Sequence, residues 1–145
     1  MQLKDILREK GSRVWTIQAK QTVHDALRML VSHKIGALLV LNEDEKIVGI
    51  ISERDIIRGC FEDVAHVEKT PVSKLMTKNI FVAAPEDDIR VLMATMTEKR
   101  VRHIPVLENG ELKGIVSIGD VVKSLLQDSE HQIRYLKEYI YGSSL

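Results

Sequence analysis

The stretch Gly49-Ile50-Ile51-Ser52-Glu53-Arg54-Asp55-Ile56-Ile57 returns 65 residues later as Gly114-Ile115-Val116-Ser117-Ile118-Gly119-Asp120-Val121-Val122. Four of the nine positions are identical, three exchange one β-branched residue for another, and only Glu53/Ile118 and Arg54/Gly119 change character. Each copy reads as a short apolar strand, a serine N-cap, and a helix with an acidic residue three positions after the cap. Such a junction turns backbone N–H groups and the positive end of a helix dipole toward whatever lies beside it.

Outward from this motif the repeat continues. A helix is predicted over 23–34, capped by Thr22, with Val23, Ala26, Leu27, Leu30 and Val31 as one apolar face, of which Val23, Ala26, Leu27 and Leu30 fall on Ile89, Leu92, Met93 and Met96 at an offset of 66. Leu41 falls on Leu107, and a one-residue deletion in the Glu108-Asn109-Gly110 turn then restores the offset of 65, the mark of a tight hairpin in place of a longer loop. The first copy thus predicts strands over 14–17, 37–41 and 46–51, with a closing helix over 55–60. The second repeats that order, with a strand over 80–83 and a helix opened by Pro85 and Glu86-Asp87-Asp88. Residues 3–10 form an amphipathic helix leading into the first repeat, and Gly11 stops it. Residues 127–141 carry Ile133, Leu136 and Ile140 at helical spacing, ahead of Gly142 and a serine-rich end. That is more apolar surface than a solvent-facing tail requires, so this helix is expected to pack on the body or on a second subunit. The expected division is a helix over 1–12, a first unit over 13–60, a linker over 61–74, a second unit over 75–126, and a helix and tail over 127–145.

With 21 basic and 21 acidic residues in 145, no global field recruits nucleic acid or an anionic membrane, so any anion must be held by a local cluster. The single cysteine, Cys60, excludes an internal disulfide and any cysteine-rich zinc motif, which fits a reducing compartment; a cytoplasmic protein is expected. The first ten residues read as neither a signal peptide nor a membrane span, and no run approaches the roughly 18 apolar residues needed to cross a bilayer. An aromatic content of 4% leaves few stacking surfaces for single-stranded nucleic acid.

A strand-helix-strand-strand-helix unit of this size, present twice and ending each time in Gly-apolar-apolar-Ser-x-x-Asp-apolar, resembles the CBS domain, the family named for cystathionine β-synthase. The resemblance covers nearly the whole chain and is closest to a free-standing bacterial pair. It implies an α/β fold in which two β-α-β-β-α units pack about a pseudo-two-fold axis around a shared core, with flanking N- and C-terminal helices. It also implies adenine-nucleotide binding in clefts between the copies, and association of two pairs into a homodimer.

The residues suit such a ligand, though each has a plainer reading. Ser52-x-x-Asp55 and Ser117-x-x-Asp120 resemble ordinary capping boxes, in which serine and aspartate satisfy each other's backbone N–H groups. The resemblance instead assigns Asp55 and Asp120 to the ribose hydroxyls, with Ser52 and Ser117 offering a hydroxyl to ribose or phosphate. It likewise assigns Arg102 and His103 to the phosphates, whereas Lys99 and Arg100 read as a helix end complementing its dipole. Arg54 suits bidentate phosphate contact, and Gly119, its counterpart, leaves room for phosphate to approach backbone N–H groups. Adenine needs apolar walls, for which the candidates are Thr16, Ile17, Ala19, Val82, Ala84, Ile104 and Pro105, with Thr16, Ile104 and Pro105 preferred at strand ends. The five histidines are dispersed, with no metal-ligand spacing, and no nucleophile motif or Walker loop is present, so no metal, catalytic residue or catalytic cofactor is assigned. The reading is therefore a non-enzymatic sensor of an adenine nucleotide, AMP first and NAD(H) next, that signals to an unidentified regulated protein. Its rival is a ligand-free dimerisation adaptor.

Overall fold

The structure is a computed structural model of the chain, and it describes residues 1–141. The chain divides into two compact units. The first is Arg13–Phe81; the second combines Met1–Ser12 with the chain from Val82 onward.

In the first unit, strand β1 (Thr16–Gln18) leads to helix α2 (Val23–His33), then to β2 (Ala37–Leu41), β3 (Ile47–Ser52) and α3 (Glu53–Glu62). The sheet order is β1-β2-β3, with β1 parallel to β2 and β3 antiparallel to it. Thr22 caps α2 by accepting from the Asp25 N–H, and Asp25 returns a bond to the Thr22 N–H at 3.0 Å. Those bonds from Thr22, backbone first, hold the Asp25 carboxyl below its ordinary pKa. Ile17, Leu30, Leu38, Val40, Ile51 and Ile56 are among the buried core residues.

The segment expected as a linker belongs to this unit. After α3 comes a 3-10 turn over Val67–Lys69 and the single-turn helix α4 (Val72–Leu75), with Val67 and Val72 buried in the same core. Backbone bonds from Val23 to Thr70 (2.9 Å) and from Val72 to Gln21 (2.7 Å) fasten it beside the start of α2. It is secondary structure rather than a spacer.

The second unit contains helix α1 (Leu3–Lys10), α5 (Ile89–Lys99), strands β4 (His103–Glu108) and β5 (Glu111–Ser117), and helix α6 (Ile118–Tyr141). Asn109 and Gly110 both have positive φ, 53° and 78°, as a two-residue type I′ hairpin turn requires. Leu3 and Ile6 of α1 are buried with Ile89, Met96, Ile104 and Val116, so α1 is part of this core and does not lead into the first repeat's core. The helix expected over 127–141 is continuous with the closing helix of the repeat, and α6 runs unbroken for 24 residues. The residues expected as a serine-rich end lie outside those described.

The strand expected over 80–83 does not form. Only Ala83 bridges, to Val106, through an N–H to the Pro105 carbonyl (3.0 Å) and a carbonyl that accepts from Leu107 (2.8 Å). Prolines explain the loss. In the first unit, Leu39 donates to the Trp15 carbonyl and Ala19 to the Leu41 carbonyl, extending the ladder on both sides. The matching donors in the second copy are Pro105 and Pro85, which have no N–H. The second sheet therefore holds two strands where the first holds three.

Candidate functional site

Both motifs form capping boxes, but the two carboxylates stand in different surroundings. In the first unit, β3 ends at Ser52 and α3 starts at Glu53. Asp55 Oδ2 accepts from the Ser52 N–H (2.9 Å) and Ser52 Oγ (3.1 Å). Its Oδ1 accepts from Thr77 Oγ1 at 3.0 Å and from the Arg58 guanidinium, one helical turn on. The Asp55 side chain is 4% exposed, and both of its oxygens are engaged. Thr77 is held there by paired backbone bonds with Ile50, at 2.8 and 3.0 Å. Gly49 permits this close approach: a Cβ there would stand 2.6 Å from Met76 Sδ and 2.9 Å from the Thr77 carbonyl oxygen. Arg54 is exposed on the first turn of α3.

In the second unit, β5 ends at Ser117 and α6 starts at Ile118. The Ser117 N–H donates to Asp120 Oδ2 at 2.8 Å, and the Asp120 N–H donates to Ser117 Oγ at 3.1 Å. Lys10, the last residue of α1, places Nζ 2.6 Å from the same Oδ2 and 2.7 Å from the Ile115 carbonyl oxygen. Both bonds to the carboxylate therefore fall on one oxygen, and its side chain is 26% exposed. Partial burial pushes the Asp120 pKa up, but Lys10 and the Ser117 N–H outweigh it and leave the group below its ordinary value.

Arg102 and His103 stand beside this second junction. His103 opens β4 directly across the ladder from Ser117, and the Arg102 carbonyl accepts the Ile118 N–H at 2.8 Å. Arg102 and Gly119 are exposed and His103 is half-buried. At the matching place in the first unit stand Gly36, whose carbonyl accepts from Glu53, and Ala37, paired with Ser52. A Cβ on Gly119 would meet only Ser117 Oγ, at 3.6 Å, so packing does not require glycine there. With the Ile118 and Asp120 N–H groups already engaged, Gly119 is the exposed backbone position at the start of α6.

The expected adenine walls divide by burial. Ile17 and Ile104 are 2% and 1% exposed and are core residues, and Pro105 is buried beside Ile104. Thr16, Ala19 and Ala84 are half-buried, and Val82 is exposed. Three further residues are Lys10, Arg58 and Thr77. Of these, only Arg58 carried a sequence signal, an Asp-Arg pair at i,i+3 on a helix. Among the described residues, no group of three His, Cys, Asp or Glu side chains is placed to hold a metal ion, and no helix is long and apolar enough to cross a membrane.

A capped strand-to-helix junction, built twice on a helix-and-hairpin frame with the polar groups collected at the start of the closing helix, defines a tandem α/β module. The chain belongs to the CBS domain family, whose profile matches residues 3–62 and 72–127. It is 33% identical over 149 residues to the mitochondrial CBS domain-containing protein CBSX3 of Arabidopsis thaliana, covering 97% of this chain and 72% of that protein. A crystal structure of the CBS-domain containing protein ATU1752 from Agrobacterium tumefaciens superposes with a TM-score of 0.83 at 40% identity, covering 86% of this chain and 98% of the other. The CBS pair of protein MJ0100, solved in complex with 5-methylthioadenosine and S-adenosyl-L-methionine, shares the fold at a TM-score of 0.76 and 23% identity, covering 88% of this chain and 98% of that one. Other relatives are longer: the chain spans 22% of CBSCBSPB1 from Arabidopsis thaliana, at 32% identity.

Proposed function

We propose that this CBS pair is a regulatory module that binds an adenine nucleotide, with the junction of the second unit as its working site. The observation that carries the reading is Asp120: a partly exposed carboxylate with one oxygen engaged, beside Arg102, His103 and the uncovered backbone at Gly119. Ribose hydroxyls would bond Asp120 and Ser117, and Arg102, His103 and the exposed backbone at Gly119 would take phosphate. Val82 and Ala84, in the same unit, are the adenine contacts with surface to spare. Asp55, Ser52 and Arg54 are the weaker counterpart, because ribose there must displace Arg58 and Thr77 from Asp55.

The adenosine compounds bound by the MJ0100 pair support the ligand class. AMP is the first choice because one phosphate matches one cationic cluster, and NAD(H) is next. The module works without catalysis, by favouring one conformation that a partner in the cytoplasm reads. Homodimerisation fits the exposed apolar residues Val31 (76%), Ile57 (67%) and Phe61 (91%) in the first unit and Val91 (65%) and Leu126 (60%) in the second.

The ligand-free adaptor has one observation in its favour: both aspartates already take part in capping the helices they open. The test is a thermal-shift series on protein stripped of bound ligand, with AMP, ADP, ATP, NAD, NADH and S-adenosylmethionine, repeated on Asp120→Glu. Glutamate serves a capping box as well as aspartate does, but its extra methylene misplaces the carboxylate for two vicinal hydroxyls. A shift that Asp120→Glu weakens at unchanged intrinsic stability supports the sensor. No shift with any nucleotide leaves the adaptor.

A further inference from the structure

Arg90 of α5 lies 3.9 Å from Asp128, and from Ser129 to Ile140 every residue of α6 is exposed. That segment rises about 16 Å along its axis. Its exposed aliphatic residues, with Ser129 between them, keep to one seam, and Tyr135 and Tyr139 lie beside it. Val122, Leu126, Ser129, Ile133, Leu136 and Ile140 follow one another at steps of four, three, four, three and four, the a/d spacing of a coiled coil. A period of 3.5 favours another helix over a broad globular surface, whose helices show a wider stripe.

From these positions we propose that the end of α6 pairs with the same segment of a second copy of this chain, running antiparallel. With Leu126, Ile133 and Ile140 at a and Ser129 and Leu136 at d, the positions flanking the seam on one side are Glu130 and Lys137. In an antiparallel pair these flanks face each other. Placing Ile133 against Leu136 of the copy, and Ile140 against Ser129, sets Glu130 opposite Lys137 twice, once on each side of the two-fold axis. The flanks on the other side, Gln132 and Tyr139, meet in the same way. A parallel pair sets Glu130 and Lys137 against Leu125 and Gln132, with no opposite charges matched. The seam is thus self-complementary in charge and in apolar pattern, as an isologous contact must be. It does not depend on nucleotide binding.

The test uses full-length protein in which Cys60→Ala removes the only native thiol. Ser129→Cys and Ile140→Cys are made singly, both at positions exposed within the single chain. Under mild oxidation at high concentration, a mixture of the two variants should form disulfide-linked dimers much faster than either alone. Glu130→Lys should weaken self-association about tenfold by sedimentation, and Glu130→Lys with Lys137→Glu should restore it. Residues seven apart on one helix do not pair with each other, so that rescue must come from the second chain. Crosslinking of Ile140→Cys with itself at the rate of the mixture, which marks a parallel pair, overturns the proposal. So does an absence of crosslinks in the mixture, or indifference of self-association to Glu130→Lys.

Discussion

Replacing Asp55 and Asp120 separately by alanine should separate stability from ligand binding. Asp55→Ala removes a cap, about 0.5–2 kcal/mol, and leaves the Thr77 hydroxyl and the Ser52 N–H without their acceptor in a nearly closed site, which adds about 1–3 kcal/mol. Arg58 is 61% exposed and is rehydrated on losing its partner, so its share is small. The total is about 1.5–5 kcal/mol. Asp120→Ala loses the same kind of cap, but Lys10 is 35% exposed and its ion pair adds no more than about 1 kcal/mol, for a total of about 0.5–3 kcal/mol. The assay is urea unfolding of full-length protein. Trp15, the only tryptophan, reports the first unit by fluorescence, far-UV circular dichroism reports both, and nucleotide affinity is measured calorimetrically on the same samples. Asp55→Ala should lower the Trp15 midpoint strongly and leave affinity nearly intact. Asp120→Ala should leave that midpoint in place and abolish binding. Equal stability costs, or lost binding in Asp55→Ala at native stability, would refute the assignment of structure to one junction and ligand to the other.

Three further outcomes follow from the same geometry. Gly49→Ala forces a methyl against the Thr77 backbone oxygen and should destabilise by about 1–3 kcal/mol, whereas Gly114→Ala meets only the movable tip of Leu7 and should cost under about 1 kcal/mol in the same urea assay. The Asp120 pKa is lowered by folding, so the stability it contributes is full above the ordinary carboxylate pKa and is lost as pH falls through the lower folded-state value. The gap between wild type and Lys10→Met, about 0.3–1 kcal/mol near neutrality, should therefore close in acid; a gap that persists would mean Lys10 acts through packing. Pro105→Ala supplies an N–H where the first unit uses that of Leu39, and hydrogen exchange should show whether the Ala83 bridge lengthens into a strand; unchanged protection near Val82 would assign the break to Pro85 instead.

Much of the fold was legible because it rests on local rules. Thr22 and Ser52 each cap the helix they were expected to cap, and Val23, Ala26 and Leu30 of α2 are buried like Ile89, Leu92 and Met96 of α5, whereas Leu27 and Val31, expected on the same face of α2, are exposed. The expected strand over 80–83 failed through a long-range dependence. Whether residue 83 has neighbours to pair with is decided by a proline 22 positions later, which the pattern of the strand itself does not register. The destination of α1 was hidden for a similar reason, since its amphipathic face is equally suited to either core. At the site, the serines, aspartates, Arg102 and His103 were read from motif and resemblance, and the structure brings Arg102 and His103 to the junction of Asp120. What distinguishes the two aspartates was not legible. It lies in Thr77 and Lys10, which are 22 and 110 positions from the carboxylates they touch.

The placement of α1 also bears on how the protein is made. Its first helix leaves the ribosome before anything it packs against, and its core partners Ile89, Ile104 and Val116 emerge some 80 to 110 residues later. Meanwhile the contiguous stretch Arg13–Phe81 has been synthesised in full and is free to close on itself. At roughly 5–20 residues per second the wait lasts several seconds, during which Leu3 and Ile6 stay exposed to chaperones or to neighbouring nascent chains. Folding order then runs opposite to chain order at the amino terminus, and the unit that holds both Lys10 and Asp120 is the last to be completed.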